Sequence, residues 1–136
     1  MITSTKARVL VIDDDRMVAD TLAMVLNVSG FDAVAAYSGE SALELARLTP
    51  FDKLVTDVMM EPMTGIQAAL AFSHIYPNCQ ILLMSGNERT AKLLQEAADA
   101  GHQFEILAKP IHPTVILDRL REEPPPVSAC PGAPPE

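Results

Sequence analysis

Five short runs of strand character, four of them closed by a charged or turn-forming residue, constrain this chain more than any other feature. Val9 to Ile12 is unbroken apolar sequence that stops at Asp13, Asp14 and Asp15. Continuous rather than alternating apolar character marks a strand buried on both faces. From Arg16 the period changes. Val18, Leu22, Val25 and Leu26 fall at helical spacing, with Gly30 as a stop. Phe31 to Ala36 is a second, weaker strand. Ser38 can cap a helix with Ala42, Leu45 and Ala46 inward, ending before Pro50. Lys53 to Asp57 is the third strand, and Thr64 can cap a helix that runs to about Ile75 and is stopped by Pro77. Cys79 to Met84 is the fourth. Asn87 then caps a helix with Leu93, Leu94, Ala97 and Ala98 inward and Gly101 beyond its end. Phe104 to Ala108 is the fifth strand, and Pro113 opens a last helix with Ile116, Leu117 and Leu120 inward.

Short buried strands alternating with helical crossovers predict an α/β fold, a parallel sheet of five strands covered on both faces by five helices. Ligands of such sheets sit at the carboxyl ends of the strands. That rule gathers Asp13 to Asp15, Asp57, Ser85 and Lys109 at one edge, although they are far apart in sequence. A carboxylate at the end of a buried strand is costly without a partner, and clustered carboxylates repel unless a cation joins them. Hard oxygen ligands suit Mg²⁺, which takes few carboxylates and keeps waters that a phosphate can replace. Lys109 adds a point charge for phosphate oxygens, and Ser85 a hydroxyl donor. A carboxylate can itself be the nucleophile toward phosphorus.

The chain has 136 residues, the length of one domain. Residues 1–6 form an N-terminal arm and 7–121 the domain. Residues 122–136, EEPPPVSACPGAPPE, hold six prolines and read as an extended or disordered tail, since proline interrupts helices and central strands. The tail also fits a linker stub or a proline-rich ligand. The net charge of −8, with no basic cluster, argues against nucleic acid and anionic membrane as direct partners. Cys79 and Cys130 show neither metal spacing nor a disulfide pattern and read as reduced thiols of a cytoplasmic protein. No apolar run has the length of a signal or a membrane span.

The motifs VLVIDDD at 9–15, VTDVMMEPMTG at 55–65, LLMSGN at 82–87 and AKPI at 108–111 resemble, together and in this order, the receiver domain of bacterial two-component response regulators. The resemblance implies a flavodoxin-like, doubly wound sheet of order 2-1-3-4-5. It implies Asp57 as phosphoacceptor and metal ligand, Asp14 as a direct Mg²⁺ ligand, Asp13 as a ligand through water, and the backbone carbonyl of Met59 as the third protein ligand. It gives Ser85 the role of the switch hydroxyl and Lys109 that of the phosphate-contacting lysine. The implied donor is a phosphohistidine on a sensor histidine kinase or a phosphotransfer protein, with small acyl phosphates as substitutes. The output is a change at a face formed by the last two helices and the fifth strand, read by a downstream protein or by a second copy in a phosphorylation-dependent homodimer.

Three positions depart from the family pattern. Glu61 stands where a proline is usual, and Pro62 follows it. Ile106 occupies the place of the family's switch aromatic, with Phe104 one pair earlier on the strand. Asp15 is an additional acid. These departures keep a pseudo-receiver in view, a docking module of the same fold that is not phosphorylated. A haloacid-dehalogenase-like phosphatase would use Asp13 to Asp15, Ser85 and Lys109. Met17 is unusual for it, no acidic pair closes the site after Lys109, and Asp57 is left unexplained. An FMN-binding protein of the same architecture needs a phosphate cradle where this chain has three acids.

Overall fold

The computed structural model describes residues 6–60, 63–85, 105–108 and 111–121. Five parallel strands form one sheet in the order β2-β1-β3-β4-β5. They are β1 Arg8–Ile12, β2 Asp32–Ala36, β3 Lys53–Asp57, β4 Gln80–Ser85 and β5 Glu105–Ala108. The described helices are α1 Arg16–Val28, α2 Gly39–Leu48, α3 Gly65–Ile75 and α4 Pro113–Arg121. The helix expected from Asn87 lies outside the described residues.

Both faces of the sheet are covered, which is why the strands carry continuous apolar runs. On one face, α2 and α3 bury Ala42, Ala46, Ala69 and Phe72 against Leu10, Leu54 and Leu83. On the other, α1 and α4 bury Ala19, Leu26, Ile116 and Leu120 against Val9, Val11, Val55 and Leu82. Alternate residues of each strand thus supply the two cores. Aromatic side chains are scarce, 4% of the chain, so the interior is built from aliphatic residues with Phe72 among the largest fully buried.

Local signals fixed the helix starts. Ser38 and Thr64 cap α2 and α3 as expected. Thr64 is half of a capping box, with its hydroxyl accepting from the Gln67 amide at 3.1 Å and the Gln67 side chain accepting from the Thr64 amide at 2.9 Å. Pro113 opens α4, whose buried residues are the expected Ile116, Leu117 and Leu120. Gly30 follows α1 at φ +103°, a backbone state that costs glycine little.

The expected inward face of α1 needs correction. The helix buries Ala19, Leu22, Ala23 and Leu26, while Val18 is exposed and Val25 is half-buried. The small alanines face the sheet, and Val25 packs only at the edge of the same core. In α2, likewise, Leu43 is buried and Leu45 only half-buried. Cys79 precedes β4 rather than opening it.

Candidate functional site

Neighbouring strands of matched register build the site. Ile12 pairs with Thr56 across β1 and β3, so the residues one step further, Asp13 and Asp57, end side by side. One oxygen from each of Asp13, Asp14 and Asp57 lies within 4.8 Å of the others. Asp13 and Asp57 are buried, at 2% and 7% exposure, and Asp14 is exposed at the rim. Each ionised pair at such a separation repels by about 1 kcal/mol at a water-like dielectric and about 3 kcal/mol at the effective value of a protein interior. A cation removes that cost. The donors are all carboxylate oxygens, which fits a hard divalent ion such as Mg²⁺ better than a thiophilic one.

The acidic run divides its work. The Asp13 carboxylate accepts the Asp15 amide at 2.9 Å, while the Asp13 amide donates to the Ala36 carbonyl at 3.2 Å. Asp15 caps α1, accepting the Met17 amide at 3.1 Å. The expected extra acid is therefore a helix cap, and it lies outside the metal cluster.

Asp57 is pinned through its backbone. Its register partner is Met84, and the next amide, Val58, donates to the Met84 carbonyl at 3.0 Å. The Thr56 hydroxyl donates to the Asp57 carbonyl at 3.0 Å. Gly65, at the first turn of α3, donates its amide to the Val58 carbonyl at 2.8 Å. A Cβ at position 65 would lie 1.9 Å from the Asp57 carbonyl oxygen, so only glycine allows this approach. Thr56 and Gly65 escaped the sequence reading as site residues. Their signals were a hydroxyl inside an apolar strand and a glycine directly after a helix cap.

Met59 lies two residues past Asp57, its side chain half-buried against the α2–α3 core. Only its backbone carbonyl offers an oxygen there. Ser85 ends β4, half-buried, one residue past the partner of Asp57 and paired with Ala108. Ile106 is 40% exposed on β5 and pairs with Leu83, which places it on the α2–α3 side of the sheet. Lys109, the residue after β5, lies outside the described residues, as do Phe104, Glu61 and Pro62.

A second cluster flanks the acids. The Tyr37 hydroxyl donates to Asp20 at 2.5 Å, and the Arg16 guanidinium stacks over the Tyr37 ring at 4.3 Å. The hydrogen bond to Asp20 raises the Tyr37 pKa, desolvation and the Asp20 charge add to this, and Arg16 opposes it. The cluster fastens the end of β2 to the first turns of α1, and sequence spacing gave no sign of it. His74 is exposed, and the His112 ring accepts the Thr114 amide at 3.2 Å at the start of α4. Neither joins the acids. Among the described residues no helix is long and apolar enough to cross a membrane.

Comparison with known proteins agrees with this geometry. Residues 9–121 match the family model described as the response regulator receiver domain. The response regulator receiver protein CpdR of Brucella abortus is 31% identical over 115 residues, covering 85% of this chain and 94% of CpdR. A response regulator receiver protein of Anaeromyxobacter is 34% identical over 114 residues, covering 82% of this chain and 46% of that protein. The chain thus spans about half the length of that relative. Among solved structures, the Vibrio cholerae chemotaxis protein CheY4 superposes with a TM-score of 0.76 at 28% identity, covering 86% of this chain and 98% of CheY4.

Proposed function

The chain belongs to the response regulator receiver domain family, and on that premise we propose that Asp57 accepts a phosphoryl group in two-component signalling. One observation carries the reading: three carboxylates from the ends of two adjacent strands converge within 4.8 Å, with Asp57 nearly buried among them. A docking module would have no use for so costly a cluster.

In this mechanism a carboxylate oxygen of Asp57 attacks phosphorus. The new P–O bond forms as the P–N bond of a phosphohistidine breaks, and the electron pair leaves on the imidazole, which takes a proton from solvent. Asp14 and Asp57 directly, Asp13 through water and the Met59 carbonyl would hold Mg²⁺. When bound, that ion neutralises charge on the transferring group. Lys109 contacts a phosphoryl oxygen, and the Ser85 hydroxyl moves to donate to another. The backbone contacts of Thr56 and Gly65 hold the nucleophile still while this happens.

The donor is a sensor histidine kinase or a phosphotransfer protein. The signal passes to a downstream protein, or to a second copy, through the face that includes β5 and α4. Ile106 sits at the switch position of that face and lacks an aromatic ring to turn, so Ser85 carries more of the signal. The receiver occupies residues 7–121, between the 1–6 arm and the 122–136 tail, and works in the cytoplasm.

The test is intact-mass analysis after incubation with a small acyl phosphate and Mg²⁺. The wild-type chain gains one base-labile phosphoryl group, and Asp57→Asn gains none. Equal labelling of the two would end the proposal.

A further inference from the structure

A groove of about 340 Å³ runs between α1 and the segment that enters α4. Met17 and Thr21 line one wall, Ile111, Pro113 and Ile116 the other, and Met84 the floor. Its described lining residues carry no charge. Apolar surface continues along α1, where Met17 is 76%, Met24 59% and Val28 83% exposed. Those three residues share one helix face by their spacing. Single exposed apolar side chains need no explanation, but a groove continued by such a stripe calls for a cover.

We propose that this chain's own proline-rich segment, residues 124–135, docks in the groove. Attachment is the first reason. Arg121 ends α4, and its guanidinium donates to the Ser29 carbonyl at 3.3 Å, just past the end of α1. The chain therefore leaves α4 at the foot of the same α1–α4 seam. Reach is the second. From Arg121 back to Pro113 the helix spans about 12 Å at its usual rise, and a polyproline segment covers roughly 3.1 Å per residue. Two residues to reverse and four or five to climb bring the segment to Ile116 and Pro113.

Chemistry is the third. The sequence from 124 to 135, PPPVSACPGAPP, has no charged side chain, so it meets the uncharged walls without burying an ion. A second copy of the chain would bring its own net charge of −8 against the first. Proline-rich segments lose little entropy on docking to apolar grooves, and the tether supplies an effective concentration on the order of millimolar. Weak contacts therefore suffice.

The floor residue Met84 pairs with Asp57 in register, so the groove opens beside the acidic site.

The test is a nitroxide on the native Cys130, read by methyl NMR of the full chain. Labelling near neutral pH spares Cys79, which is half-buried and whose thiol is pushed up to about 12. The methyl signals of Met17 and Ile116 lose most of their intensity, while Leu48, exposed on α2 at the opposite face, keeps its own. Met17→Glu, a change at an exposed position, restores the Ile116 signal. Equal broadening of Leu48 and Ile116 would overturn the proposal, as would an Ile116 signal indifferent to Met17→Glu. Broadening seen only when label and reporter sit on different molecules would overturn it too. None of these outcomes depends on phosphorylation, so docking and the role of Asp57 stand or fall separately.

Discussion

At the residue scale the acids set the energetics. Asp14→Asn removes one member of the cluster that lies within 4.8 Å, relieving repulsion of about 1 kcal/mol or more. Its metal-free melting temperature should rise by a few degrees, while stabilisation by added Mg²⁺ shrinks. Thermal denaturation with and without Mg²⁺ reads both effects, and equal Mg²⁺ stabilisation of wild type and variant would argue against metal at this site. Cys79 makes an independent prediction. Burial, with a smaller push from the Asp52 charge, raises its thiol from the ordinary 9.0 to about 12, although a backbone hydrogen bond opposes the shift. The unfolded chain then surrenders that proton first. The stabilisation is complete below about pH 9 and is lost as the pH rises toward about 12. Urea midpoints should fall further for the wild type than for Cys79→Ala between about pH 8 and about pH 10.5.

At the scale of elements, adjacent positions at the start of α3 do different things. Thr64→Ala deletes a capping box and costs about 1 kcal/mol of stability, with phosphorylation of Asp57 unchanged. Gly65→Ala drives a Cβ into the Asp57 carbonyl. It should cost about 1–3 kcal/mol or more and also slow phosphorylation, because the backbone of the proposed nucleophile has to move. Urea unfolding and acyl-phosphate labelling together separate the two. Caps such as Ser38, Thr64 and Pro113 were legible in sequence because a cap is a local hydrogen bond or a fixed dihedral. The phase of α1 was legible only at Leu22 and Leu26, which are buried. Apolar spacing favoured Val18 and Val25, but the close approach of α1 to the sheet admits Ala19 and Ala23. Periodicity does not weigh side-chain size. The clash at Gly65 was hidden for a related reason, since it depends on how the chain returns after a loop.

For the whole molecule, alternation of element type gave a parallel sheet covered on both faces, the order 2-1-3-4-5 came only from the family resemblance, and the gathering of Asp13, Asp14 and Asp57 followed from the rule for strand ends. Asp15 had looked like a third site acid and proved to be a cap, because its place depends on where α1 begins. The Tyr37–Asp20–Arg16 cluster joins residues whose proximity only the folded β2–α1 contact creates. The central claim is that this fold makes Asp57, rather than Asp13 or Asp14, the group that takes phosphate. Borohydride reduction of the freshly phosphorylated chain converts an acyl phosphate to a stable alcohol, and tandem mass spectrometry of the peptides locates it. The account predicts a single modified residue at position 57. Modification at Asp13 or Asp14, with Asp57 untouched, would contradict it.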